Sequence, residues 1–108
     1  MKLFLLIVGI VCSGSLLAQT TTETIKVAGN CGTCKKKIET AAKIPGVNSA
    51  VWNKKTKELA LVYDASKTTS EKVQASIANA GYDTEKVKAS DAAYNKLDEC
   101  CQYDRKKD

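Results

Sequence analysis

The sequence predicts an α+β sandwich whose strands and helices follow the order β-α-β-β-α-β. Three observations predict it. Two segments carry apolar residues at helical spacing, and glycine or proline closes each. Three segments show the period-two alternation of half-buried strands, and a short polar turn joins the second to the third. The chain has 108 residues, enough for one domain and not for two.

Taken in order, Thr24 to Ala28 alternates, with Ile25 and Val27 on one face, and reads as the first strand. Gly29-Asn30 signals a turn. Cys34, Ile38, Ala41 and Ala42 then follow the i, i+4, i+7, i+8 pattern of one helix face. Pro45-Gly46 ends that helix. Val47 to Asn53 and Glu58 to Tyr63 form a hairpin around the polar turn Lys54 to Lys57. In the second of these strands Leu59, Leu61 and Tyr63 share a face, with Ala60 and Val62 opposite.

Thr68-Thr69-Ser70-Glu71 opens the second helix, and Thr68 with Glu71 has capping-box spacing. Val73, Ile77 and Ala80 form its stripe, and Gly81 closes it. Tyr82 to Val87 is a weaker fourth strand. The order is that of the ferredoxin-like split βαβ: a four-stranded antiparallel sheet with two helices on one face. Its expected core is Ile25, Val27, Ile38, Ala41, Val47, Leu59, Leu61, Val73 and Ile77.

Residues 22–88 are the expected domain, and 89–108 a short helical appendix. In the appendix Ser90 caps a helix beginning at Asp91. Ala93, Leu97 and Cys100 give it an apolar stripe, and Arg105 to Asp108 form a charged, frayed end.

The first 18 residues have another character. Lys2 supplies a positive charge, Leu3 to Val11 an apolar run, and Ser13 to Ala18 a small-residue end. These are the parts of a secretory signal peptide, with cleavage expected after Ala18. The run is too short for a membrane span of roughly 20 apolar residues, so no stable membrane insertion is expected after cleavage; a retained anchor is the alternative. Val11 is too large for the residue before a lipid-modified cysteine, which argues against lipidation of Cys12. The expected localisation is therefore exported, in the periplasm.

The chain carries 17 Lys and Arg against 12 Asp and Glu, a net charge of +5. These charges interleave, and even the run Lys35-Lys36-Lys37 reads as a solvated helix face, so nucleic acid is not an expected partner. There is no histidine, which excludes Cys/His zinc fingers and three-histidine sites. Four of the five cysteines lie beyond Ala18: Cys31, Cys34, Cys100 and Cys101. In an oxidising compartment they admit three disulfide pairings.

The spacing Cys31-Gly32-Thr33-Cys34 favours another use. One thiol lies in the loop and the other on the first helical turn, so both face one point. The helix N-terminus and Lys35 to Lys37 favour thiolate over thiol. Paired thiolates select soft or borderline ions such as Cu(I), Zn(II) and Hg(II). Cys100-Cys101 reads two ways: a second thiolate pair folding back on the first, or a structural pair that is buried, vicinally bridged or bonded to the loop.

The run from Lys26 through Cys31-Gly32-Thr33-Cys34 to Glu39 resembles the metal-binding loop of heavy-metal-associated domains. The resemblance continues through Pro45-Gly46-Val47, Tyr63-Asp64 and Ala80-Gly81-Tyr82-Asp83, covering about residues 24–88. That family includes copper chaperones, modules of metal-pumping ATPases and periplasmic mercury-binding proteins. The resemblance implies the βαββαβ fold and metal ligation by Cys31 and Cys34. It also places Tyr82 where the family often has a residue over the metal, although core packing explains Tyr82 equally well.

One departure stands out. The family loop reads Gly-Met-x-Cys-x-x-Cys, with the Met packed beneath it, whereas Gly29-Asn30-Cys31 is one residue shorter and has no Met.

The expected function is a non-enzymatic, exported metal carrier. It binds Cu(I) through Cys31 and Cys34, with Cys100 and Cys101 as further candidate ligands and Tyr82 and Lys35 as supporting residues. The ion passes by ligand exchange to a metal-transporting membrane protein or another thiol-rich protein. Mercury(II) or zinc(II) binding is the alternative cargo. A thiol–disulfide oxidoreductase is the alternative activity; against it, no Trp precedes Cys31, and the single proline, Pro45, falls after the helix.

Overall fold

The structure is a computed structural model and describes residues 20–105. The expected signal segment 1–18, with Cys12, and residues 106–108 lie outside the described residues. The elements are β1 (Thr20–Lys26), α1 (Gly32–Ala42), β2 (Val47–Asn53), β3 (Glu58–Asp64), α2 (Ser70–Asn79) and α3 (Asp91–Asn95), followed by a 3-10 turn at Glu99–Cys101. Among the described residues, no helix is long and apolar enough to cross a membrane.

The sheet has three antiparallel strands in the order β1-β3-β2. Ile25 and Trp52 both lie opposite Leu59, and Ala50 lies opposite Leu61. One sheet face therefore carries Ile25, Leu59, Leu61, Tyr63, Ala50 and Trp52, all buried. They share one core with Ile38 and Ala42 of α1 and Val73 and Ile77 of α2. The opposite face is open, and Val51 there is 57% exposed.

Two core assignments need correction. Val47 is only half-buried, because the β2–β3 register shifts between Val47 and Ser49. A bulge moves every later side chain of its strand to the opposite face, so Ala50 and Trp52 turn inward instead. On α1, Ala41 is half-buried and Ala42 fully buried: the inward row is Cys34, Ile38, Ala42, strictly i, i+4, i+8.

The expected fourth strand is reduced to one bridge, Val27 to Thr84. Two backbone bonds make it, from Ala28 N–H to Asp83 C=O (2.9 Å) and from Glu85 N–H to Lys26 C=O (3.0 Å). Side chains then take over. Fully buried Gln74 accepts from the Thr84 hydroxyl (2.8 Å) and the Lys86 N–H (3.0 Å), and the Val87 N–H closes on Thr84 Oγ1 (3.0 Å). The segment curls into a turn whose donors are spent locally, so no ladder continues.

The cap of α2 lies one residue beyond the expected one. Thr69 is the N-cap, and its hydroxyl accepts from Lys72 N–H (3.2 Å). Glu71 pairs with Lys86 instead of closing a capping box. Ser90 caps α3 as expected, accepting from Ala93 N–H (3.1 Å). The α3 helix ends at Asn95, so its stripe does not extend to Cys100: Leu97 and Cys101 are buried, and Cys100 is exposed.

Arg105 is not frayed. It forms a fork with both Asp83 carboxylate oxygens (2.9 and 2.8 Å), pairs with Asp91 (3.0 Å) and donates to Ala89 C=O (2.7 Å).

Candidate metal centre

Cys31 is the N-cap of α1, in extended conformation, and its carbonyl accepts the first helical bond from Lys35 N–H (3.0 Å). Cys34 lies in the first turn and heads the buried face. The two sulfurs are 3.8 Å apart. Cys31 is partly exposed, Cys34 not at all. The site thus has one accessible thiol and one anchored in the core.

The Cys31 thiol is lowered to about 7. The Cys34 backbone amide is the main cause; burial opposes it, and the Thr33 amide adds to it. Neither amide makes a regular cap bond to the sulfur, so the effect is that of the amide-rich helix N-terminus acting at short range.

The loop is held from beneath. A Cβ at Gly29 would stand 2.9 Å from the Trp52 ring and 3.0 Å from Ile38, so the backbone rests directly on those side chains. Trp52 Nε1 donates to Val27 C=O (3.0 Å), and Lys57 Nζ donates to Gly29 C=O (2.6 Å) while lying 5.5 Å from the Trp52 ring centroid. Trp52 and Lys57 support this loop, which lacks the methionine, and the sequence reading did not single out either. The one signal in the sequence was the chain's single tryptophan; Lys57, which adopts φ 62° in the turn, carried none.

Lys35 takes a different place. Its ammonium pairs with Glu39 and donates to Trp52 C=O (3.1 Å), while Glu39 accepts from Trp52 N–H (2.8 Å). The pair satisfies both outward backbone groups of Trp52 on edge strand β2 and so pins α1 to the sheet.

The segment after residue 88 brings Cys101 to the loop. The sulfurs of Cys31, Cys34 and Cys101 all lie within 4.8 Å of one another. Cys101 is fully buried, and burial pushes its thiol up to about 12, with the neighbouring Cys34 sulfur adding to it. Cys100 is exposed; its carbonyl lies 3.6 Å from Cys31 Sγ, and its own sulfur is 3.9 Å from that of Cys101. All four cysteines of the described residues are free thiols.

Tyr82 is fully buried beside them, stacked on Tyr103 with ring centroids 6.0 Å apart. Its hydroxyl has no hydrogen-bond partner of adequate geometry. Burial raises its ionisation strongly, with Cys101 and Cys34 as the next causes, and Tyr82 shares one core cluster with both. Leaving a buried hydroxyl unpaired costs about 1–3 kcal/mol.

The profile of the heavy-metal-associated domain matches residues 24–83. No curated protein matches the chain in sequence. Among solved structures, a CopZ metallochaperone is 35% identical over 59% of this chain and 98% of its own, with a TM-score of 0.57. Oxidized MerP from Ralstonia metallidurans CH34 is 29% identical over 61% of this chain and 94% of its own, with a TM-score of 0.58. The water-soluble region of the P-type ATPase CopA from Bacillus subtilis is 30% identical over 60% of this chain and 44% of its own, with a TM-score of 0.56.

Proposed function

Since the chain belongs to the heavy-metal-associated domain family, a family of soft-metal-binding, metallochaperone-like and typically non-enzymatic domains, we propose that it is an exported carrier of Cu(I). Residues 1–18 serve as the export signal, residues 22–88 as the binding domain and residues 89–108 as its extension, with the periplasm as the working compartment. Cys31 and Cys34 are the binding pair. The observation that carries this reading is the 3.8 Å separation of their sulfurs at a helix N-terminus, with the outer thiol brought down to about 7. Thiolates so placed fit a soft cation.

The asymmetry of exposure suggests an order of exchange. A partner's thiolate attacks the ion, displaces the accessible Cys31 first, and then displaces Cys34. The ion keeps at least one thiolate of this chain until the partner holds it, and no bond of a substrate is broken. The partner is a metal-transporting membrane protein or another thiol-rich carrier. Hg(II), another soft ion suited to paired thiolates, is the second candidate cargo, and zinc(II) the third. The redox reading gains no support from the fold: Pro45 lies exposed in the turn between α1 and β2.

The test is an anaerobic titration of the reduced protein with Cu(I), Hg(II) and Zn(II) against competing chelators. The reading predicts tight one-to-one binding with Cu(I) preferred over Zn(II), and its loss in Cys31→Ser/Cys34→Ser. Unchanged binding by that variant would refute it.

A further inference from the structure

We propose that Cys101 is a third ligand, supplied by the segment after residue 88, and that this protein holds its cargo in a three-thiolate site. The inference rests on the reading of Cys31 and Cys34 as the binding pair and adds to it.

Three observations carry it. The first is size. A trigonal ion with metal–sulfur bonds of about 2.3 Å requires sulfurs about 4.0 Å apart. The sulfurs of Cys31 and Cys34 are 3.8 Å apart, and all three lie within 4.8 Å of one another. An ion at the centre of this triangle reaches each of them with little movement.

The second is that Cys101 is held in place. Tyr103, two residues on, accepts from Asp83 N–H (2.8 Å) and donates to Gly81 C=O (2.9 Å) through its hydroxyl. Its carbonyl accepts from the Tyr94 hydroxyl (2.5 Å). Arg105 then locks the chain to Asp83, Asp91 and Ala89. On the other side Leu97 is buried against Gly81, where an added Cβ would stand 3.0 Å from its side chain. The 3-10 turn thus presents Cys101 from a fixed frame, with its ordering entropy already met by folding.

The third is Tyr82. Its hydroxyl is buried without a partner, and Tyr82 shares one core cluster with Cys34 and Cys101. A metal-bound thiolate is a strong acceptor, and one formed at Cys34 or Cys101 gives that hydroxyl the hydrogen bond it otherwise lacks.

Cys100 has another position. Of the adjacent pair, only Cys101 turns inward; Cys100 is exposed and outside the triangle. Binding converts each coordinating thiol to thiolate, and each proton so displaced passes to solvent. Three thiolates retain a soft ion more firmly than two. Transfer then requires a partner that displaces Cys101 as well as Cys31 and Cys34.

X-ray absorption on the full chain, loaded with one equivalent of Cu(I) in buffer free of added thiols, counts the sulfur ligands. The wild-type protein and Cys100→Ser are expected to show three, and Cys101→Ser two. Against a chelator, Cys101→Ser should lose at least the roughly 10–100-fold in affinity that removal of a mere outer-shell partner costs. Two sulfurs in the wild-type protein would overturn the proposal while leaving the Cys31–Cys34 reading intact, and that result does not depend on how well any variant folds. Three sulfurs in Cys101→Ser with two in Cys100→Ser would also overturn it, by naming Cys100 as the ligand. Undiminished binding by Cys31→Ser/Cys34→Ser would instead refute the underlying reading.

Discussion

The four thiols differ because their surroundings differ. Cys31 meets the amides of a helix N-terminus and is brought down to about 7, whereas Cys101, deep against the tyrosines, is pushed up to about 12. Alkylation of the metal-free protein by iodoacetamide should therefore start at Cys31, its rate rising with pH through about 7 as the thiolate forms. Cys101 should stay unmodified in the folded protein. Peptide mapping by mass spectrometry reads both; rapid labelling of Cys101 would contradict the buried placement. Gly29 is the second decisive residue. Gly29→Ala forces a methyl into the Trp52 ring and should destabilise the fold by roughly 1–3 kcal/mol, seen as a lower midpoint in urea. The Cys31–Cys34 pair and the helix it opens were legible in the sequence, because spacing alone puts both thiols at one helix end. The supports were not. Trp52 turns inward only because of a bulge, and Lys57 reaches Gly29 across 28 residues, and no local pattern encodes either.

At the scale of elements, the hairpin and the two long helices follow from periodicity, since an apolar face must find a partner. The fourth strand fails for a reason that periodicity does not carry. Gln74 and Thr84 capture the backbone of 84–87 into a turn, and a side-chain acceptor on another helix leaves no mark on the strand's own pattern. The latch behind it joins Asp83 to Arg105. Burial works against a charged Asp83, yet the Arg105 guanidinium, the Ala89 N–H and Tyr103 together hold its carboxyl below the usual carboxylate range. A lowered pKa contributes stability that is present above the unfolded value, near 3.9, and is lost as pH falls through the folded value. Acid below about pH 4 should therefore loosen residues 89–105 before the sheet melts. Hydrogen exchange of Ala89 N–H and Asp83 N–H against pH detects it. Arg105→Ala should abolish that acid step and cost roughly 1.5–3 kcal/mol, the range for hydrogen bonds to a charged group. An unchanged acid profile in this variant would contradict the latch.

At the scale of the whole molecule, the core extends beyond the βαββ unit. Leu97, Cys101 and Tyr103 share one cluster with Ile25, Trp52 and Tyr82. Each large apolar side chain fully buried is worth roughly 1.5–3 kcal/mol, so the extension is part of the fold and not an appendage. Truncation after residue 88 should lower the melting temperature and expose Tyr82, which intrinsic fluorescence and dye binding would report. An unchanged melting temperature would show that the extension contributes nothing to stability. The sequence offered few clues to this packing. The extension's stripe was legible as Ala93, Leu97 and Cys100, but α3 stops at Asn95 and the 3-10 turn rotates the next residue, Cys101, inward. A change of helix type at that point decides which of two adjacent cysteines meets the loop.

The most direct test of the central claim, that the thiols of the loop are the metal ligands, is carbon-13 NMR of the cysteine Cβ atoms during an anaerobic Cu(I) titration. The Cys31 and Cys34 resonances are expected to shift together and stop at one equivalent, accompanied by Cys101, with Cys100 left near its starting position. Saturation with the Cys31 and Cys34 resonances unmoved would contradict it.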